Sequence, residues 1–204
     1  MSNFTSNTEM LRAEIAAAAA RIIAEDGADY GTAKKKAAKQ ILGNIRIRGD
    51  ILPDNAQIEE EVRTYNELFF SDSQPARLLQ LRKLAVQLMQ ELSSFSPFLT
   101  GAVLNGTASE HSDIHLQLFA DSPKDVEIFL INKNVNFEVS ESAHFNGRNG
   151  PVETVSFMWK TEGVHLALYE KDDLRGAIKN ATDGKVLRAD INAVRALISE
   201  TEQI

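Results

Sequence analysis

The chain has no cysteine, so disulfide bonds and thiolate metal sites are both excluded. That absence fits a cytoplasmic protein. Long apolar runs are missing too. The Ala-rich stretch near the start, "EIAAAAARII", is too short to span a bilayer and is interrupted by Arg21. Glu9 and Glu14 flank the nearby cation Arg12, so the basic leader of a secretory signal is not there either. The expectation is a buried helix of a protein with no membrane segment. Internal repeats and low-complexity tracts are also absent.

Basic charge is scarce in the second half. Residues 1–95 have a net charge of −1 and residues 96–204 one of −6, within the total of −7. An acidic half is a poor electrostatic host for nucleic acid. The one exception is "GTAKKKAAKQILGNIRIR", residues 31–48, with six basic residues and no acidic one. Lys34, Lys35, Lys36, Lys39, Arg46 and Arg48 form either a solvated helix face or a patch that contacts phosphates. The expectation favours the solvated face, so nucleic acid is expected as a partner only through this run.

What remains is the composition of an ordinary globular protein, 43% hydrophobic and 25% charged over 204 residues. The first half reads as helix. Leu11, Ile15, Ala18, Ile22 and Ile23 recur at helical spacing. Thr32 is the expected N-cap of the next helix and Gly43 its stop. Asp54 is placed to cap a third helix, through Val62, Tyr65 and Leu68. After "SDSQP", Leu78, Leu81, Leu84, Ala85, Leu88 and Leu92 make one apolar stripe, the core-facing side of a fourth.

From "SFSPFLTG" onward the pattern changes. "FLTGAVL", "DIHLQLF", "NFEVSES", "VETVSFMW" and "VHLALYE" read as short strands between turns. "SPKDVEIFLINK" is a helical insert, "HFNGRNGP" a loop, and "DDLRGAIKN" and "KVLRADINAVRALISE" are helical. The expected fold is therefore α+β. A helical N-terminal region, residues 1–95, precedes a small mixed sheet with flanking helices, residues 96–204.

The stretch "GAVLNGTASEHSDIHL", residues 101–116, resembles the signature of the nucleotidyltransferase superfamily, the group that includes the kanamycin nucleotidyltransferase and MNT-like proteins. Gly101, Gly106, Thr107, Ala108, Ser112, Asp113, Ile114 and Leu116 stand where the signature has them. A helix before the glycine strand, a helix after the aspartate strand and a later strand, "GVHLALYEKDDL", follow the same order. The resemblance covers roughly residues 75–175 and implies a nucleotidyltransferase-like sheet. The chain as a whole also resembles a bacterial family of unassigned function, some members of which are labelled UDP-N-acetylmuramate–alanine ligase. Such a ligase needs a Gly-Lys-Thr/Ser phosphate loop, which this sequence lacks.

In the superfamily, the resemblance implies, three carboxylates on one sheet face hold two magnesium ions. Here Asp113 is kept, while His115 and His165 occupy the other two positions. Residues 113 and 115 lie about 6.6 Å apart along a strand and point to one face. A neutral imidazole has one lone pair and cannot bridge two ions, and magnesium prefers oxygen donors. Magnesium is therefore not expected. The implied phosphate-binding set is Gly101, Ala102, Gly106, Thr107 and Ser112. Within it, Ala102 replaces a serine whose hydroxyl would hold phosphate, and Asn105 stands where a basic residue is common.

Two readings follow. The first is a degenerate nucleotidyltransferase-like scaffold or binding module, with a protein partner or a weakly held nucleotide. The second is a metal-dependent enzyme, for nucleotidyl transfer or phosphoester chemistry, in which Asp113, His115 and His165 hold zinc or manganese, with His111 as an alternative ligand. His144 is left without a role, and Arg148 and Lys160 are candidates to reach a ligand from the far side of the sheet domain.

Overall fold

The computed structural model describes residues 2–43, 51–147, 149–179 and 187–203. By contacts the chain forms two compact units. One comprises Met1–Leu78 with Thr107–His111, the other Leu79–Gly106 with Ser112–Ile204. The division falls inside a helix, whereas the change at residue 95 marks where strand-forming sequence begins.

The first unit is built on α1 (Ser2–Asp26), α2 (Tyr30–Leu42) and α3 (Asn55–Phe69). Ile15, Ala19 and Ile22 of α1, Ala33 and Ala37 of α2, and Ile58 and Val62 of α3 are buried in one core. The alanines matter because they let the helix backbones approach closely. The cap of α2 differs from expectation. Asp29, in extended conformation, is the N-cap, and its carboxylate accepts from the backbone N–H of Thr32 at 3.0 Å. Thr32 lies one turn inside. A carboxylate also answers the positive end of the helix dipole, which a threonine hydroxyl does only weakly. Gly43 ends α2 at φ 62°. Asp54 caps α3 through a full capping box with Gln57. Ala33, Ala37 and Ala38 face the core, while Lys35, Lys36 and Lys39 are exposed on the opposite side of α2. Lys34 donates to Asn55 Oδ1 at 3.2 Å. Arg46 and Arg48 lie outside the described residues.

α4 (Gln74–Glu91) carries the leucine stripe, and Leu81, Ala85, Leu88 and Met89 are buried. The second unit contains a five-stranded mixed sheet: β1 (Phe98–Thr100), β2 (Ile114–Ala120), β3 (Glu138–Ser142), β4 (Val152–Trp159) and β5 (Glu162–Glu170), in the order β1-β2-β5-β4-β3. β2 and β5 are parallel and the other pairs antiparallel. The flanking helices are α5 (Gly101–Asn105), α6 (Pro123–Asn132), α7 (Leu174–Lys179) and α8 (Ile191–Glu202). The fold is α+β, with helices at the N-terminus and a mixed sheet after them.

Only the first three residues of "FLTGAVL" form a strand. Gly101 has φ 70°, which breaks the extended backbone and starts α5. Gly106, at φ 88°, ends it. Along β2 and β5 the side chains alternate. Ile114, Leu116 and Leu118 of β2, with Val164, Leu166 and Leu168 of β5, are buried on one face. His115 and His165 belong to the other face. Further along that face, Phe119 and Tyr169 stack at 5.4 Å over a smaller core with Ala177. Among the described residues no helix is long and apolar enough to cross a membrane.

Candidate functional site

The parallel register sets His115 directly beside His165. Their rings stack with centroids 4.7 Å apart and planes inclined by 18°. Asp113 precedes β2 by one residue, and its Oδ2 lies 3.0 Å from His165 Nε2. On the other side of β5, Ser156 is the antiparallel partner of His165, and its Oγ lies 2.8 Å from His165 Nδ1. A carboxylate can only accept, so in the neutral ring Nε2 carries the proton and Nδ1 accepts from the Ser156 hydroxyl. Ser156, His165 and Asp113 thus form one hydrogen-bonded chain across three adjacent segments. The Asp113–His165 pair is partly exposed, so its own contribution to stability is about 0–1 kcal/mol.

Gly163 makes room for this chain. A Cβ there would lie 2.6 Å from Asp113 Cγ and closer still to Oδ1, so any larger residue would drive the carboxylate away from His165. Gly101 is different. A Cβ at that position would sit 3.8 Å from the His115 ring, an ordinary contact, so glycine is needed there for its positive φ rather than for space. Asp113, Ser156, Gly163 and His165 line a groove of about 560 Å³ with Phe137 and Met158. His115 is not part of its wall.

Crowding by surrounding protein disfavours the charged form of His115. The His165 ring adds to that, and Asp113 opposes it. The result is a pKa lowered from 6.5 to about 4. An exposed edge of the residue limits the desolvation, and His115 is neutral near pH 7. The unfolded ring takes its proton near 6.5, whereas the folded ring resists until about pH 4. Between those values the unfolded state binds more protons. The stabilising contribution is therefore full above about 6.5 and lost as the pH falls towards 4. Urea unfolding should show lower stability at pH 5 than at pH 7, with a shallower slope in His115→Gln. Equal slopes would remove His115 as a cause.

The three residues do come together, Asp113 bonded to His165 and His115 stacked on it. Both ring nitrogens of His165 are engaged, Nδ1 with Ser156 and Nε2 with Asp113. Among the described residues no group of three His, Asp or Glu side chains is arranged to hold a metal ion. His111 sits in the Thr107–His111 segment of the first unit. His144 is buried, with Nε2 3.3 Å from Asp173 Oδ2, a tie between its loop and the turn that follows β5. Lys160 donates to Gln87 Oε1 at 2.7 Å, and Arg148 lies outside the described residues.

The expected phosphate-binding residues are divided between the units. Gly101, Ala102, Gly106 and Ser112 belong to the second. The Gly106 N–H is used internally, donating to Ala102 O at 3.0 Å. Thr107 is 1% exposed in the first unit, and its carbonyl accepts from Asn66 at 3.4 Å. Arg82 was not singled out from the sequence. Its guanidinium is buried, donating from Nε to Val103 O and from Nη2 to Leu104 O, each at 3.1 Å. That cation closes the C-terminal end of α5 and so fixes the turn beginning at Gly101. In the sequence it looks like one more polar residue beside the leucine stripe. Gly163 left a readable signal, a glycine two residues before His165 inside a strand pattern.

The fold and site define an α+β protein whose sheet carries a hydrogen-bonded Ser156–His165–Asp113 chain with His115 stacked upon it. No known protein family matches the chain, and no curated protein does. A solved chain in the structure of the GLD-2/RNP-8 complex is similar to it, with a TM-score of 0.31 and 17% identity over 58% of this chain. The match covers 49% of that solved chain, about half its length. So low a score carries no argument about fold or function.

Proposed function

We propose that this chain is a catalytically degenerate nucleotidyltransferase-like protein, kept as a scaffold or binding module. Support comes first from the residues 101–116, which resemble the superfamily signature while two of its three carboxylate positions hold histidine. The observation that carries the reading is the engagement of His165 at both ring nitrogens, by Asp113 and Ser156. A ring held at both nitrogens in this way has no lone pair free for an ion or a reacting group. Asp113, which would be the one remaining metal carboxylate, is turned to a structural task.

Incubation with each common α-labelled nucleoside triphosphate and magnesium tests the proposal. No transfer or hydrolysis above the level of Asp113→Ala is expected. Magnesium-dependent transfer by the wild type that disappears in Asp113→Ala would overturn it.

A further inference from the structure

The groove of about 560 Å³ in the second unit holds a serine that the loss of nucleotidyl transfer leaves unused. Its volume is that of a small-molecule site. Ser156 lines it together with His165 and Asp113. Solvent reaches all three. The side chains of His165 and Asp113 are 33% and 44% exposed, and Ser156 is half-buried.

A serine hydroxyl is a weak nucleophile until a base takes its proton. His165 Nδ1 lies 2.8 Å from Ser156 Oγ, within the reach of a general base. The other ring nitrogen, Nε2, lies 3.0 Å from Asp113 Oδ2. That carboxylate holds the proton on Nε2 and so keeps the Nδ1 lone pair on the hydroxyl. It also stabilises the imidazolium that forms when the Ser156 proton arrives. The lone pair closed to an outside group is therefore the one that can activate Ser156. Nucleophile, base and orienting carboxylate are linked in the order that serine acyl transfer requires.

The neighbours of Ser156 select the substrate. Glu138 is its cross-strand partner on β3, and Met158 stands two residues along β4, so both share its side of the sheet. Both are exposed, and both line the groove with Phe137. The carboxylates of Glu138 and Asp113 repel an anionic substrate. Met158 and Phe137 offer apolar surface to a hydrocarbon chain.

We propose that Ser156 is a nucleophile towards uncharged carboxylic esters with an apolar acyl group, with His165 as its base and Asp113 as a positioning residue. Ser156 Oγ bonds to the carbonyl carbon as its proton passes to His165 Nδ1. The ester C–O bond then breaks, the alcohol leaves with that proton, and the acyl group stays on Ser156. Water, deprotonated by the same nitrogen, releases the acid and restores the hydroxyl. This inference goes beyond the loss of nucleotidyl transfer and does not depend on it, and its failure would leave that reading untouched.

The test is covalent labelling of the full chain with an alkyl fluorophosphonate, an uncharged probe with an apolar chain. An activated serine traps it by forming an Oγ–P bond with loss of fluoride. Intact mass follows the rate, and peptide mass spectrometry locates the adduct. One adduct is expected, on Ser156, absent from Ser156→Ala and slower by at least about a hundredfold in His165→Gln. Asp113→Asn should lower the maximal labelling rate by at least about tenfold and leave the half-saturating probe concentration unchanged, which a collapsed groove would not do. With p-nitrophenyl butyrate the same serine should take the butyryl group and release p-nitrophenolate. Should a variant fail to fold, the wild type in urea decides, since labelling that needs the folded chain must disappear there. Three results would each overturn the proposal: no adduct in the wild type, an adduct only on residues other than Ser156, or labelling as fast in the urea-unfolded chain as in the native one.

Discussion

The double variant His115→Asp/His165→Asp is expected to be less stable than the wild type in a chelator and to regain stability with magnesium, to which the wild type is indifferent. Three carboxylates would then share one face of β2 and β5, where His115 and His165 are paired residue for residue. Without a cation they repel one another, and the hydrogen bond from Ser156 to the ring is lost. With a cation the oxygen donors match the preference of magnesium. At a magnesium concentration ten times the dissociation constant, linkage adds about 1.4 kcal/mol to the stability of the variant. Thermal unfolding with and without magnesium reads this directly. No magnesium response in the double variant would mean that the face never had the geometry of a metal site, and the resemblance of residues 101–116 would lose its structural meaning.

Arg82→Met should destabilise the protein by about 2–4 kcal/mol, since two charge-assisted hydrogen bonds disappear and two buried carbonyls lose their donor. Methionine keeps much of the volume, so the loss is electrostatic rather than a cavity. The donors reach Val103 O and Leu104 O at the end of α5, and α5 opens at Gly101, whose Cβ position lies against the His115 ring. The variant should therefore also alter the environment of His115. Arg82→Lys, which keeps the charge but not the two-pronged geometry, should fall between. A change below about 0.5 kcal/mol in urea unfolding, the range of an ordinary surface substitution, would show that the Arg82 contacts carry no weight.

Much of this architecture was readable in the order of the residues. The change from helical to alternating pattern near residue 96 located the sheet, and Asp54 with Gln57 announced a capping box that the structure contains. Period-two spacing put positions 113 and 115 on one face. The face was legible, but its hydrogen-bonding was not. Ser156 becomes the partner of His165 only through the register of β4 on β5, and register depends on turn geometry and packing that no local pattern encodes. The same holds for Thr107–His111, which contacts Asn66, Gln74 and Arg77 from more than thirty positions away. Local misreadings had local causes. Asp29 outcompetes Thr32 as a cap because a carboxylate is the better acceptor at a helix start, and "FLTGAVL" turns helical because Gly101 adopts positive φ.

The central claim is that His165 is locked between Asp113 and Ser156 and is not available to a metal. Long-range ¹H–¹⁵N NMR of the imidazole side chains, recorded near pH 7 before and after one equivalent of zinc, tests it most directly. The expected result is a proton on His165 Nε2, directed at Asp113, with both ring-nitrogen signals unmoved by zinc. A zinc-induced shift of a His165 nitrogen, matched by one at His115, would contradict the account and establish the two histidines as ligands.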